Sequence, residues 1–465
     1  MKTKYLYIKT IGCQMNVYDS GTILSDLSIL GYKLTDNVKK ADLVIINTCT
    51  IREKAEQKAF SFLGRMADLK NKKPGLMIAI GGCLAQQEAK NILKRVPFVD
   101  IVFGTNVLGR LPALIRQAEK TGETAIDVDM SGKSRSALTI HAKKTPITDY
   151  VTIMRGCDNY CTYCVVPYVR GRETSRLPED VVNEIKIRVK KGMKEVTLLG
   201  QNVNSYGKKE GLSSFSELLA MANDIEGLQR IRFTTSHPKD LSLNLIHAFR
   251  DLEKLCNHIH LPIQSGSNKI LKKMNRKYTR EAYLEKIGSL RSVKPDIAIT
   301  TDMIVGFPGE AESEFAETLD LMKTIEFDGL FAFAYSDRQL APASSFNDKL
   351  EEGVKKERLL KLLDLQKEYT RRKNKAFINK IVTVLVEGPS KKNNSDKPNA
   401  ISQDLQWTGR TPENKIVNFT LDRTDLSCND HLLGKLINVR IEKALSNSLK
   451  GTPVTDIKGE ITYAA

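Results

Sequence analysis

The sequence predicts an α/β chain in three folded parts: an N-terminal doubly wound α/β domain, a central partial (β/α)6 TIM-like barrel and a small antiparallel β-barrel at the C-terminus. Three observations carry this. Apolar β-rich runs alternate with amphipathic helical stretches over residues 4–119; the alternation restarts at Tyr150 and runs through six further units; from Ile381 onward only short alternating strands follow. A chain of 465 residues is also too long for one core. The boundaries are 1–120 for the first domain, 121–148 for a polar linker, 149–378 for the barrel with a long helix, 379–446 for the small barrel and 447–465 for a tail.

In the first domain, strands are expected at Tyr5–Thr10, Asp42–Asn47, Leu76–Gly81 and Val99–Phe103, with helices near 18–30, 52–70, 84–95 and 106–119. Cys13, Cys49 and Cys83 each lie just past the end of one of the first three strands. Open α/β sheets gather ligands in the crevice beyond the strand C-termini, so these distant cysteines are expected to converge on a shared metal site. Gly12, Gly81 and Gly82 beside them let a ligand approach the backbone. From the residues alone, zinc and an iron–sulfur cluster both remain open.

In the middle third, strands are expected near 151–155, 195–200, 230–235, 258–263, 298–305 and 329–335, with helices near 178–191, 215–226, 243–254, 280–293 and 312–325. Six parallel strands are too few to close an eight-stranded barrel, so an open one is expected, with its site at the C-terminal strand ends. After the first strand comes Gly156-Cys157-Asp158-Asn159-Tyr160-Cys161-Thr162-Tyr163-Cys164. Three thiolates at this spacing can hold three irons of a 4Fe-4S cluster and leave the fourth open to a ligand. Polar and glycine residues recur at the other strand ends, in Gly200-Gln201-Asn202, Ser236-His237-Pro238, Gln264-Ser265-Gly266-Ser267 and Gly306-Phe307-Pro308-Gly309-Glu310. They point to one rim.

The last quarter opens with a helix over 351–375, whose apolar face would use Leu359, Leu360, Leu362, Leu363 and Leu365 and whose end, Arg371-Arg372-Lys373-Asn374-Lys375, suits either solvent or phosphate. Strands at Ile381–Val386, Gln406–Arg410, Lys415–Thr420 and Leu436–Ala444, with a polar loop at Ser390–Pro398, suit a small barrel. Trp407 fits its core better than a base-stacking role, and Cys256 and Cys428 are expected to be structural.

A formal charge of +17, from 72 Lys and Arg against 55 Asp and Glu, suits a polyanionic partner, nucleic acid before membrane. The N-terminus shows no apolar leader and no apolar run is long enough to span a bilayer, which predicts a cytoplasmic protein. There, cysteines are expected as metal ligands or thiols rather than disulfides.

The Cys-x-x-x-Cys-x-aromatic-Cys loop resembles the signature of radical S-adenosylmethionine (SAM) enzymes. With Cys13, Cys49, Cys83 and the stretch Tyr163-Cys164-Val165-Val166-Pro167-Tyr168-Val169-Arg170-Gly171, the whole chain is similar to the methylthiotransferases, and most to those acting on N6-isopentenyladenosine in tRNA. The resemblance implies two 4Fe-4S clusters and SAM as cofactors. Cys157, Cys161 and Cys164 would hold the cluster whose open iron chelates SAM and whose electron cleaves it to methionine and a 5′-deoxyadenosyl radical. Cys13, Cys49 and Cys83 would hold an auxiliary cluster that supplies sulfur to C2 of the adenine, one SAM giving the methyl group and a second the radical. Tyr163, Gln201, Ser236, Gln264 and Arg276 would contact SAM, with no catalytic side chain beyond the cluster ligands; Arg276 sits in a basic run that also suits RNA phosphate or solvent. The implied partners are a tRNA anticodon stem-loop, bound with the help of a C-terminal TRAM barrel, an electron donor such as flavodoxin or ferredoxin, and sulfur or iron–sulfur delivery proteins.

One departure is plain. Family members read Tyr-Ser-x-Arg-Pro-Gly-Thr-x-Ala after the sixth strand, whereas this chain has Tyr335-Ser336-Asp337-Arg338-Gln339-Leu340-Ala341-Pro342-Ala343. The alternatives within the family are a threonylcarbamoyl adenosine in tRNA or a ribosomal-protein aspartate. Outside it stands an RNA-binding protein stabilised by zinc, although three cysteines per site leave zinc short of its usual fourth protein ligand.

Overall fold

The computed structural model describes residues 3–50, 53–131, 145–390, 405–421, 432–456 and 461–463. Strands β1 (Lys4–Ile11), β2 (Tyr32–Leu34), β3 (Leu43–Thr48), β4 (Met77–Gly82), β5 (Ile101–Phe103) and β6 (Ala125–Asp127) form one parallel sheet in the order β2-β1-β3-β4-β5-β6. Four helices cover it: α1 (Gln14–Ile29), α2 (Glu53–Lys72), α3 (Cys83–Arg95) and α4 (Leu111–Thr121). Because successive strand residues point to opposite faces, Leu43 and Ile45 pack with Ile23 of α1 and Ile115 of α4, while Val44 and Ile46 pack with Leu63 of α2 and Leu84 of α3. The sheet is therefore doubly wound, with both faces apolar.

The stretch read as a linker begins with β6, which pairs with β5 from Ile101 and Ala125 onward. Strands β2 and β6 have three residues each, too few to show a period. Residues 132–144 of that stretch lie outside the described residues.

The barrel is built from β7 (Thr148–Thr152), β10 (Glu195–Leu199), β11 (Arg230–Phe233), β12 (His258–His260), β13 (Ala298–Val305) and β14 (Gly329–Ala334). A short antiparallel pair, β8 (Met154–Arg155) and β9 (Thr174–Ser175), frames the cysteine loop. Parallel sheets β11-β10-β7 and β12-β13-β14 meet through a bridge at Ile231 and Leu255, so the strands follow one another in chain order and leave β7 and β14 as open edges. The intervening helices are α5 (Val166–Arg170), α6 (Pro178–Lys190), α7 (Phe215–Asn223), α8 (Leu243–Asp251), α9 (Asn268–Lys273), α10 (Arg280–Val293) and α11 (Glu312–Ile325). They bury one continuous core against the strands, including Val196, Ile231, Ile299, Leu218 and Leu321.

The long helix α12 (Glu352–Lys375) follows. Leu362 is buried, but Leu360 faces solvent. Its basic end is partly used internally: Arg372 pairs with Glu326, Lys373 lies 2.9 Å from Asp328, and Asn374 donates to the Leu445 carbonyl at 3.0 Å.

Strands β15 (Ile381–Pro389), β16 (Leu405–Arg410), β17 (Ile416–Leu421), β18 (Leu436–Ala444) and β19 (Leu449–Pro453) close into a barrel. The expected tail thus contributes β19, whose Gly451 and Pro453 disguise it as a turn. Trp407 is 4% exposed inside this barrel beside Phe419 and Ile437, which excludes base stacking by its ring. Residues 391–404, covering most of the expected polar loop, and Cys428 lie outside the described residues. Two buried arginines of β11 dock the small barrel: Arg230 donates to the Arg410 and Thr383 carbonyls at 2.5 and 3.1 Å, and Arg232 to the Pro412 and Thr411 carbonyls at 3.0 and 2.7 Å.

Candidate functional site

All six expected cysteine ligands line one cavity of about 280 Å³ between the N-terminal sheet and the barrel mouth. The strand-end rule accounts for the first trio. Cys13 caps α1, Cys49 follows β3, and Cys83 opens α3 directly after β4. Paired asparagines hold the first two loops together: Asn16 donates to Asn47 Oδ1 at 3.0 Å and to the Thr48 carbonyl at 3.2 Å, and Asn47 returns a bond to the Asn16 carbonyl at 2.9 Å. Gly12 is required for this approach, since a Cβ there would lie 2.8 Å from the Cys49 Cβ.

Cys49 lies beside both Cys13 and Cys83, and hydrogen bonding to those two sulfurs, with burial, pushes its thiol up. Those bonds hold Cys13 and Cys83 below the ordinary thiol range. Arg170 adds positive charge beside both. Its guanidinium is 4% exposed and is anchored by Asp19 at 3.2 Å, and Asp19 also binds Arg155 at 3.1 Å. Asp19 belongs to α1 while both arginines belong to the barrel, so this cluster joins the two domains at the cavity.

The second trio sits on the loop between β8 and β9. Gly156 enters it at φ +75, and a Cβ there would lie 2.0 Å from the Arg172 carbonyl oxygen. Each sulfur has an N–H donor aimed at it: Asn159 Nδ2 to Cys157 at 3.5 Å, Arg276 Nη1 to Cys161 at 3.3 Å, and the Val166 amide to Cys164 at 3.5 Å. Lys239 Nζ holds Asn159 Oδ1 at 2.7 Å, which turns the amide's NH2 toward Cys157. Without a metal, burial pushes Cys157 and Cys164 up to about 11 and about 12. N–H donors offset such burial only for thiolates, the form that binds iron.

The five expected SAM contacts line the same cavity. Arg276 is neither solvated nor placed for RNA phosphate: it is 4% exposed and donates to Pro262 O at 2.8 Å, Tyr278 OH at 2.8 Å and Tyr163 OH at 3.3 Å. Its neighbours Asn275 and Lys277 both adopt positive φ, which turns the arginine inward. Gln201 Nε2 meets Met15 Sδ. Gln201 Oε1 and Ser236 Oγ are buried without a hydrogen-bond partner, as is Nε2 of His237, a third polar atom lining the cavity. Buried polar groups are costly when unpaired, so these atoms fit a polar ligand in the cavity. Gln264 stands at φ +76 with its carbonyl bonded to the Ile304 amide at 3.0 Å.

The departing loop after β14 still supports the cluster loop. Ala343 N donates to the Thr162 carbonyl at 2.8 Å, and buried Ala341 packs with Cys83, Val165 and Val169. Reading the sequence missed Asp19, Asn159 and His237. Asn159 and His237 lay inside motifs already singled out, whereas nothing around Asp19 marks it.

Among the described residues, no set of His, Cys, Asp or Glu side chains encloses a lone metal ion. What points to clusters is the convergence of six thiols on one cavity with donors aimed at sulfur. A partial barrel with three cysteines after its first strand, and unpaired polar atoms beside them, defines the class of radical SAM enzymes.

The comparisons agree and go further. Residues 151–322 match the Radical SAM superfamily, residues 5–104 match Uncharacterized protein family UPF0004, and residues 375–454 match the TRAM domain. A tRNA-2-methylthio-N(6)-dimethylallyladenosine synthase of Desulfosudis oleivorans is 52% identical over 455 residues, covering 97% of each chain. One from Geobacter sulfurreducens is 46% identical over 462 residues, covering 99% of each. The radical S-adenosylmethionine methyltransferase TsrM from Kitasatospora setae, solved with cobalamin and a 4Fe-4S cluster, shares the fold at 13% identity and TM-score 0.54, over 74% of this chain and 77% of its own. The chain belongs to the radical SAM methylthiotransferase family, and as such it works with an iron–sulfur cluster and SAM.

Proposed function

We propose that this chain methylthiolates C2 of N6-isopentenyladenosine beside the anticodon of tRNA. The observation that carries the reading is the meeting of both cysteine trios in one cavity, because sulfur insertion needs a radical source and a sulfur source within near-contact range. Relatives covering almost the whole chain bear the corresponding name. The C-terminal barrel suits RNA binding, and a tRNA substrate places the reaction in the cytoplasm. Among the described residues no helix is long and apolar enough to cross a membrane.

In this reading Cys157, Cys161 and Cys164 hold one 4Fe-4S cluster and Cys13, Cys49 and Cys83 hold a second. The bound cofactors supply the electron, the 5′-deoxyadenosyl radical, the methyl group and the sulfur, chemistry that no side chain can perform at an inert C–H carbon. The chain binds and orients. Asn159, Arg276 and the Val166 amide hold the sulfurs of Cys157, Cys161 and Cys164 as thiolates, and Arg170 does so for Cys13 and Cys83. Gln201, Ser236 and Gln264 position SAM with Tyr163 and Arg276, and His237, kept neutral by burial, presents Nε2 to the same space. An electron donor such as flavodoxin or ferredoxin, and proteins that deliver sulfur or clusters, complete the cycle.

Two measurements test the reading. Protein purified and reconstituted without oxygen should hold about eight irons with matching sulfide. Mass spectrometry of tRNA nucleosides from a deletion strain should show loss of 2-methylthio-N6-isopentenyladenosine, restored by this chain. A zinc protein without sulfide, or an unchanged nucleoside profile, refutes it.

A further inference from the structure

The far side of the barrel carries an apolar surface that the cysteines and SAM contacts leave unused. Along β14, Leu330 and Ala332 pack against the main core, so Phe331 and Phe333 point to the opposite, inner face. There the two rings remain 57% and 37% exposed. The register of β14 on β13 sets Asp302 beside Phe331 and Ile304 beside Phe333. His260 meets the Phe331 ring edge-on at 6.1 Å, and its Nε2 lies 3.4 Å from Asp302 Oδ1. Asp302 in turn lines the cavity of the six cysteines. Exposed rings, carboxylate and thiol cavity are thus one continuous surface along the open edge of the barrel.

We propose that Phe331, Phe333 and Asp302 seat the prenylated adenine: the rings take the purine face and the branched five-carbon tail, and Asp302 accepts the hydrogen on N6. This rests on the function proposed above and names the residues that select its substrate. The occupant must be flat, largely apolar and supplied with a single donor, and a secondary N6 amine carrying a prenyl tail is all three. SAM contacts cluster on the strands before β13, which leaves this edge for the base. Phe331 also borders a groove of about 620 Å³ that runs toward the small barrel, where Lys367 pairs with Asp364, Arg410 with Glu387 and Lys415 with Asp328, and where Arg371 also lies. Arg371 there suits a phosphate beside a base drawn out of its loop.

The test uses the full-length, cluster-loaded protein and two synthetic anticodon stem-loops, one with N6-isopentenyladenosine and one with adenosine at the target position. Affinities are compared for wild type, Phe331→Ala, Phe331→Leu and Phe333→Ala, with iron content and circular dichroism confirming the fold. Wild type should prefer the prenylated loop. Phe331→Ala should cut that preference about tenfold by losing the apolar contact with the prenyl tail, while the unmodified loop loses only the smaller share due to stacking on its purine face. Phe331→Leu should fall between, and it decides the matter if the alanine variant fails to hold iron. Equal losses for both loops, or a preference unchanged in every variant, overturn the proposal while leaving the function intact. A wild-type protein that leaves the prenylated loop unmodified overturns the function itself, and this proposal with it.

Discussion

Asp19→Asn is the sharpest test of how the two domains cooperate. Asp19 is 2% exposed and is shared by Arg155 at 3.1 Å and Arg170 at 3.2 Å, the latter itself 4% exposed. The asparagine keeps the shape and removes the charge, leaving Arg155 without its carboxylate and Arg170 with only the Cys13 and Cys83 sulfurs beside it at a buried interface. Breaking a buried pair in this way costs about 3–5 kcal/mol. Tyr18, which donates to Glu184 at 3.2 Å, and Thr105, whose hydroxyl donates to the Val169 carbonyl at 2.7 Å, still bridge the domains. Both domains should therefore fold, but the closed arrangement should lose about a hundredfold in population for each 2.7 kcal/mol withdrawn. The cysteines proposed to hold the SAM-cleaving cluster all lie on the barrel, so 5′-deoxyadenosine formation should persist while methylthiolated product falls at least tenfold. Hydrogen exchange should report faster opening around α1 and α5. Product formed at the wild-type rate with wild-type exchange protection would show that these ion pairs do not set the juxtaposition.

Three other outcomes follow from the same geometry. Cys49→Ala should abolish methylthiolation and remove about half the iron, with SAM cleavage retained; retained product would remove the auxiliary cluster from the reaction. Arg276→Met takes a buried cation from beside Cys161, so the midpoint potential should fall, by roughly 60 mV for each 1.4 kcal/mol of lost preference for the reduced form; an unchanged potential in redox titration contradicts the contact. Burial first, then the charges of Arg276, Lys239 and Lys277, depress His237, so its imidazole takes up a proton only on unfolding. Its contribution to stability is complete above the unfolded pKa of about 6.5 and is lost at about 1.4 kcal/mol per unit as pH falls below it. Denaturation of His237→Asn against pH should show a shallower decline on the acid side, and an identical slope would refute the assignment.

Much of the architecture was legible because it rests on local patterns. The alternation of strands and helices follows from side chains that must be apolar on both faces of a parallel strand, and it located most of the longer strands and helices within a few residues. The short edge strands β2 and β6, and β19 with its glycine and proline, were not legible: three to five residues carry too little period, and their pairing is decided by neighbours far along the chain. The same physics explains the boundary shifts. A stretch that reads as polar linker becomes an edge strand when β5 offers it an unpaired row of backbone groups.

The site divides along a similar line. Cysteines betray themselves by spacing in one trio and by strand-end position in the other, since few residue types have so narrow a set of uses. Charged residues do not, because the same letters serve solvent and core. Arg276 sits in a run of lysines that reads as a wet surface, and only positive φ at Asn275 and Lys277 carries it inside to Cys161. Asp19 is a single acid on an amphipathic helix until two arginines from another domain close on it. Phe331 and Phe333 look like ordinary strand residues, and their exposure follows from β14 being the last strand of a barrel that never closes. A seventh and eighth strand would have buried them. What makes this barrel incomplete is therefore what leaves an aromatic face open beside the radical source, and a base large enough to need that opening is the substrate the rest of the chain implies.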